Sequence, residues 1–170
     1  CKRQLACSAS HAKDASRDVA ARDACLGNAA AVFSANWDAA IADGASACKE
    51  TAAATSMAPV VQAAAGAAAD QVGLGDAANP ADRALRSKLM KQASSLCNQD
   101  FSAWEKEATS PNATKLSTRL DKARGRFVVS GGKAISKAAA AGVSYDGATP
   151  DVVADPLETV ANTLGDSTAP

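Results

Sequence analysis

Apolar residues recur along the first quarter of the chain at intervals of seven and four, the spacing that places side chains on one face of an α-helix. The positions that carry this stripe are Val19, Leu26, Phe33, Trp37 and Ile41. Ser8 or Ser10 can cap the start of such a helix, because a serine hydroxyl accepts a hydrogen bond from the free backbone N–H groups of the first turn. The pattern therefore predicts one long amphipathic helix from these serines to about Ile41.

The next segment, from Cys48 to about Val72, is dominated by alanine, the residue with the strongest helix preference. Pro59 lies inside it and should kink or divide the helix, because proline has no backbone N–H to donate. Asp43-Gly44 before the segment and the stretch "GLGDAANP" after it are typical of loops. We expect a second, interrupted helix here.

Two further helices are predicted from prolines near their first residues. Asn79-Pro80 combines a capping side chain with a proline at the first helical position, and an apolar stripe follows it to about Ala108. Ser110-Pro111 restarts a helix in the same way. Gly131-Gly132 should interrupt this fourth helix before it resumes and ends at Gly142.

A short last helix is predicted from Thr149-Pro150, and strand patterns are nearly absent from the chain. The predicted fold class is therefore all-α, an up-and-down bundle of about four long alanine-rich helices plus a short C-terminal helix. We divide the chain into a helical bundle domain, residues 1–142, and an acidic C-terminal tail, residues 143–170. The short helix of the tail would pack on the bundle or on a partner.

Composition changes this picture by weakening the core. Hydrophobic residues make up 47% of the chain, but about a quarter of all residues are alanine, whose methyl group buries little area. Aromatic residues, the largest contributors to a core, amount to only 4%. A bundle with so thin a core benefits from covalent cross-links or from a partner protein.

Five cysteines are available for cross-links, and none belongs to a C-x-x-C pair that would indicate zinc. The disulfide candidates are Cys7, Cys25, Cys48 and Cys97, although two disulfides among five cysteines can be chosen in fifteen ways. Cys1 is the candidate for lipid attachment, since a processed bacterial lipoprotein begins with cysteine. Idle thiols in a reducing cell are the alternative. Disulfides would instead indicate an exported or non-cytosolic compartment, namely periplasm, organelle lumen or extracellular space.

Charge is separated along the chain although its total is zero. Residues 80–137 carry 12 Lys/Arg and five Asp/Glu, whereas residues 138–170 carry five acidic residues and no basic one. A candidate partner-binding basic stripe is formed by Lys115, Arg119, Lys122 and Arg126. Nucleic acid is not expected as a partner, since no aromatic residues are interleaved on this face and the net charge is zero. An acidic protein surface, or the chain's own acidic tail, fits the stripe better.

The sequence contains no clear motif for metal binding, phosphate binding or catalysis. His11, the only histidine, shares helical spacing with Asp14 and Asp18, but basic residues lie among them and favour surface ion pairs over a metal site. The segment "GRFVVSGGKA" departs from a phosphate-binding loop at Phe127 and Ala134, which stand where the motif needs glycine and Ser/Thr. No nucleophile has an evident histidine base. We therefore expect no enzymatic activity, no metal and no cofactor.

Trp37 and Trp104 continue apolar stripes, which favours core packing over contact with a partner or a pigment. The leading hypothesis is a non-enzymatic, exported helical accessory or structural subunit that acts by protein–protein contact within a larger, membrane-associated assembly. Such a subunit has protein partners and no transmembrane segment, and a position peripheral to a membrane suits it. Two alternatives stay open: a lipoprotein anchored through Cys1 that binds a partner or peptide, and a helical-bundle carrier of a small apolar ligand or pigment.

Overall fold

The computed structural model of the chain describes residues 1–43 and 54–168. Within these ranges it contains six α-helices and no strand, and helices account for 84% of the residues. The helices are α1 (Lys2–Lys13), α2 (Val19–Asp43), α3 (Ala54–Val72), α4 (Pro80–Thr109), α5 (Ala113–Ala140) and α6 (Pro150–Thr168). The prediction of an all-α helical bundle is confirmed, with six helices in place of the expected five.

The predicted first helix is divided into α1 and α2, and its first residue is Lys2. Two aspartates account for the break. Asp14 accepts hydrogen bonds from the backbone N–H and the hydroxyl of Ser16, at 3.0 and 2.6 Å. Asp18 accepts one from the backbone N–H three residues further on, at 3.1 Å. The prediction of one continuous helix is wrong because these short side chains offer the backbone an alternative to helical hydrogen bonds.

Asparagine caps explain where α4 and α5 begin. The Asn79 side chain accepts hydrogen bonds from the N–H groups of Ala81 and Asp82, at 3.0 and 3.3 Å, and Pro80 is the first helical residue as predicted. Asn112 caps α5 by accepting from the N–H of Lys115 at 2.9 Å. The start of α5 therefore lies two residues beyond the predicted Ser110-Pro111 signal, at the next side chain able to cap a helix.

Neither predicted interruption divides its helix. α3 continues through Pro59, and α5 continues through the glycine pair at 131 and 132. Gly131 is buried, and a Cβ atom placed on it would lie 2.7 Å from Cγ of Pro150, the first residue of α6. The glycine therefore permits close approach of α6 to α5 and does not interrupt the helix. The part of the second predicted helix that includes Cys48 lies outside the described residues.

α4 is the central helix of the bundle, since it contacts α1, α3, α5 and α6. Its buried apolar residues meet small side chains from its neighbours, in keeping with the alanine-rich composition. The main core cluster includes Leu5, Ala9, Ala68, Val72, Leu85, Leu89, Met90, Ala93, Leu96, Ala123, Phe127, Val153 and Leu157. α6 also packs on the bundle, against α3, α4 and α5.

α2 is held differently from the other helices. Only Ala29 among its 25 residues is buried, and it contacts only α1 and α3 within the described chain. A disulfide between Cys7 of α1 and Cys25 joins it to the bundle, with 5.7 Å between the Cα atoms. Such a cross-link compensates for the weak apolar packing of this helix by limiting the freedom of the unfolded chain.

A buried arginine fixes two loops to the start of α4. Arg86 is 1% exposed, and its guanidinium donates hydrogen bonds to Asp82, the Val72 carbonyl and Asp146, at 3.0, 2.6 and 2.5 Å. The guanidinium carbon also lies 5.0 Å from the centre of the Tyr145 ring. Since buried charges require close partners, this cluster joins the α3–α4 connection to the α5–α6 connection.

Candidate partner-binding groove

α4 and α5 form an antiparallel helical hairpin, because only residues 110–112 separate them. A groove runs along this hairpin, and no α6 residue whose side chain is described lines it. Its wider part has a volume of about 520 Å³ and an apolar floor that includes Leu96 and Phe127. Its narrower part has a volume of about 280 Å³. The two parts share Gln99, Ala123 and Arg126, so they form one continuous surface.

Positive charge surrounds this surface, which we call the basic groove. Five cationic side chains line it: Lys106 of α4 and Arg119, Lys122, Arg126 and Lys133 of α5. No aspartate or glutamate of the described part of the chain lines either part. None of the five forms an ion pair within residues 1–43 and 54–168. The groove therefore presents uncompensated positive charge above an apolar floor.

The other face of α5 has the opposite arrangement, because one arginine there serves the acidic helix α6. The Arg124 guanidinium lies 2.6 Å from Asp151, 2.9 Å from Asp155 and 2.5 Å from Glu158. Partial burial lowers the pKa of Arg124, but the hydrogen bonds to these three carboxylates raise it above its ordinary value. Asp151, Asp155 and Glu158 thus find their partner in Arg124, and these three acids do not line the basic groove.

Asp100 of α4 adds a fourth carboxyl to the neighbourhood of Arg124 and Glu158. It is 0% exposed, and neither carboxyl oxygen has a hydrogen-bond partner among the described residues. Burial is the main cause that raises the pKa of Asp100 to about 7, and the negative charge of Glu158 adds to it while Arg124 opposes it. An isolated buried carboxylate is costly, so this group favours its protonated form.

The structure brings together most of the sequence-predicted basic stripe. Arg119, Lys122 and Arg126 line the basic groove, whereas Lys115 is exposed one turn earlier and lines neither part. Sequence reasoning did not single out Lys106 and Lys133. Lys133 lies seven residues after Arg126 and so repeats the helical spacing of the stripe. Lys106 comes from the other helix and could be found only from the pairing of α4 with α5.

The cysteines form two pairs at disulfide geometry among the described residues. Cys7 pairs with Cys25, as noted above, and Cys1 pairs with Cys97 of α4 at a Cα separation of 6.4 Å. The candidate Cys48 lies outside the described residues. Cys1, the candidate for lipid attachment, has its sulfur in the second disulfide. A thioether-linked lipid would need the same sulfur atom, so the two states exclude each other.

The remaining candidate residues do not come together as a chemical centre. Asp14 lies in the α1–α2 connection, outside the helix that carries His11, and no group of three or more metal-binding side chains occurs in the described part of the chain. The "GRFVVSGGKA" segment is helical throughout, so its backbone N–H groups are used inside α5. Trp104 is half-buried between α4 and α6, where its indole N–H donates to Asn162 at 3.2 Å. Trp37 packs against Phe33 of the same helix, with 5.6 Å between ring centres.

Comparison with known proteins finds no matching family model, no similar curated protein and no similar solved structure. Among the described helices, none is both long and apolar enough to cross a membrane.

Proposed function

We propose that the protein is a non-enzymatic, exported accessory subunit, and that its basic groove binds an acidic amphipathic helix of a partner protein. The observation that carries this proposal is the set of five cations around an apolar floor, none of which forms an ion pair with another described residue. Charged side chains of both signs usually alternate on a solvated surface, whereas a groove of one sign attracts and orients a partner of the opposite sign.

The shape of the groove supports a helical occupant. Along α4 the lining residues extend from Gln92 to Lys106, which corresponds to about 21 Å at 1.5 Å per residue. A partner helix of about four turns has this length. Val129, at 56% exposure, would contact its apolar stripe, and the flanking lysines and arginines would contact its carboxylates, as in other complexes in which a helix lies in a groove.

A protein partner fits the groove better than nucleic acid does. Sites for single-stranded nucleic acid combine cations with exposed aromatic rings on which bases stack. Phe127, the aromatic residue that lines the groove among the described residues, is 4% exposed and belongs to the core. Val129 is the prominent exposed apolar side chain at this surface, with 56% exposure, and it offers contact to an apolar side chain.

The two disulfides favour an oxidising compartment, because disulfides are rare in cytosolic proteins. They therefore support the exported location of the proposed subunit. The pairing of Cys1 with Cys97 favours this subunit over a lipoprotein anchored through Cys1. Mass spectrometry of the native protein distinguishes the two, since lipidation would add the mass of acyl chains and exclude the disulfide between Cys1 and Cys97.

The groove is tested with a fluorescent synthetic peptide of about 18 residues, helical and amphipathic, with glutamates beside a leucine stripe. Fluorescence anisotropy measures its binding to the native protein and to the double variant Lys122→Glu/Arg126→Glu. We expect saturable binding that weakens with added salt, and at least about a tenfold loss of affinity in the variant.

The matched control is Lys88→Glu/Lys91→Glu, which makes the same change of net charge at exposed positions of α4 outside the groove. It should retain nearly the native affinity. Equal losses in both variants would show that the peptide responds only to total charge and would refute the groove as its site. Tighter binding of a single-stranded oligonucleotide, lost in the groove variant alone, would replace the protein partner with nucleic acid.

A further inference from the structure

A second cavity, which shares no residue with the basic groove, is bounded by α1, α2, α3 and α4. Its volume is about 380 Å³, within the range of pockets that hold small molecules. Its apolar wall includes Leu26, Leu74 and Met90. Small residues of α3, such as Gly66, leave the space open where α2 crosses the bundle without burying its side chains. The cavity therefore has the size and apolar surface of a ligand site.

A buried histidine gives this cavity a polar group in need of a partner. His11 lines the cavity, is 6% exposed, and its Nδ1 atom has no hydrogen-bond partner in the described part of the chain. Buried polar atoms in proteins are nearly always hydrogen-bonded, because an unmade bond costs stability. A ligand that exchanges a hydrogen bond with the imidazole would remove this cost.

An arginine at the cavity offers a hydrogen-bond donor to a carboxylate. Arg22 lines the cavity and is bonded to Asp23 through Nε and Nη2, so its other amino group stays available. Arg17 approaches the same region, where its guanidinium donates to the Leu74 carbonyl at 2.5 Å. Asp70 also lines the cavity and would repel an anion of higher charge. The carboxylates of Asp23 and Asp70 balance the two guanidinium groups, so the free amino group of Arg22 is the donor that suits a ligand of no more than one negative charge.

We propose that this cavity binds a small carboxylic acid with a compact apolar body. The apolar body contacts Leu26, Leu74 and Met90, while Arg22 binds the carboxylate and His11 supplies a hydrogen bond. The wall formed by α2 is held in place by the disulfide at Cys25, which directly precedes Leu26. The site is independent of the basic groove, so failure of either proposal leaves the other standing.

The single histidine makes the test direct, because the proton NMR spectrum contains only one imidazole C2–H resonance. Phenylpropionate, a carboxylate with an apolar body, should shift this resonance saturably with a dissociation constant on the order of 1 mM. Its uncharged amide should bind about three- to tenfold more weakly, because it cannot form the charge-assisted bond to Arg22. Inorganic phosphate should produce no saturable shift.

The variant Arg22→Gln should remove the preference for the acid over the amide, whereas Arg3→Gln, at an exposed α1 position that does not line the cavity, should preserve it. Circular dichroism verifies that both variants stay helical. No saturable shift at concentrations up to about 10 mM, or equal affinities for acid and amide in the native protein, would overturn the proposal. This comparison of two ligands needs no variant, so it decides the question even where a substitution disturbs the fold.

Discussion

Arg124 and Arg126 lie two residues apart on α5, and at about 100° per residue they extend toward nearly opposite sides of the helix. Arg124 contacts three carboxylates of α6, at 2.5 to 2.9 Å. Arg126 lines the basic groove, and no carboxylate of the described chain lies within ion-pair distance of it. Arg124 thus stabilises the packing of α6 on one face of α5, whereas Arg126, on the other face, has no ion-pair partner among the described residues.

This difference changes how the charge separation of the sequence is understood. The acidic tail and the basic segment suggest mutual neutralisation, yet the contacts of α6 with basic side chains converge on Arg124. Asp151, Asp155 and Glu158 occur at helical spacing and occupy one face of α6, so a single guanidinium can reach all three. The cations of the groove therefore keep their charge for a partner, which supports the proposed function.

Arg86 is a third arginine and is fully buried, so its substitution should give the largest change in the free energy of unfolding. Arg86→Ala removes the partner of Asp82, whose side chain is 4% exposed, and leaves the Val72 carbonyl without its donor. Because an unpaired buried charge is strongly unfavourable, we expect the free energy of unfolding to fall by about 3–5 kcal/mol. Urea denaturation measures this change. Lys88→Ala, at an exposed position of the same helix, should alter it by less than about 0.5 kcal/mol and serves as the control.

The second prediction concerns Asp100, the buried carboxyl group near Arg124 and Glu158. The pKa of Asp100 is about 7 in the folded protein and near its ordinary value of 3.8 in the unfolded chain. Between these two pH values the unfolded chain releases a proton that the folded protein retains. The contribution of Asp100 to stability is therefore complete below the lower pKa and is lost as the pH rises through the higher one.

Asp100→Asn removes this titration while keeping the size of the side chain. At about pH 8 the variant should be more stable than the native protein by about 2–4 kcal/mol, since one pKa unit corresponds to 1.36 kcal/mol. At about pH 4 the two proteins should differ by less than about 0.5 kcal/mol. Denaturation at both pH values measures the difference. A gain of equal size at the two pH values would assign it to packing and would contradict the role of the buried charge.

Local signals explain which parts of the fold were predictable. Asn79-Pro80 determines a helix start by contacts within one turn, so the sequence alone was sufficient there. Gly131 was misread as an interruption because its reason, the close approach of Pro150, exists only after α6 has packed on α5. The break after α1 was missed because the prediction placed the cap of the helix that carries the apolar stripe at Ser8 or Ser10, while the decisive hydrogen bonds come from the side chains of Asp14 and Asp18.

The basic groove was predictable only in part, because it combines residues of one helix with a residue that reaches it through the packing of two helices. Arg119, Lys122 and Arg126 share one helix, and their spacing indicated a common face before the structure was known. Lys106 joins them through the pairing of two helices, which a single-helix pattern does not contain. Arg124 lies between members of the stripe in sequence, and only the position of α6 shows that it belongs to a different charge system.

The smallest changes in the free energy of unfolding are expected for substitutions of Arg124 and Arg126. Arg124→Gln leaves three neighbouring carboxylates without their common cation, and we expect a loss of about 1–2 kcal/mol in the free energy of unfolding, because these pairs are partly exposed to water. Arg126→Gln makes the same chemical change two residues away and should alter stability by less than about 0.5 kcal/mol. Thermal or urea unfolding of the two variants measures both values.

Peptide binding should give the reverse order for this pair of variants. Arg126→Gln should weaken the acidic peptide about two- to fivefold, since it removes one charge from the groove, whereas Arg124→Gln should leave the affinity within about twofold of the native value. If both variants lost stability and affinity in the same proportion, the two faces of α5 would not be separate charge systems. If Arg124→Gln has the larger effect on stability and Arg126→Gln the larger effect on peptide affinity, then Arg124 stabilises the fold and Arg126 binds the partner.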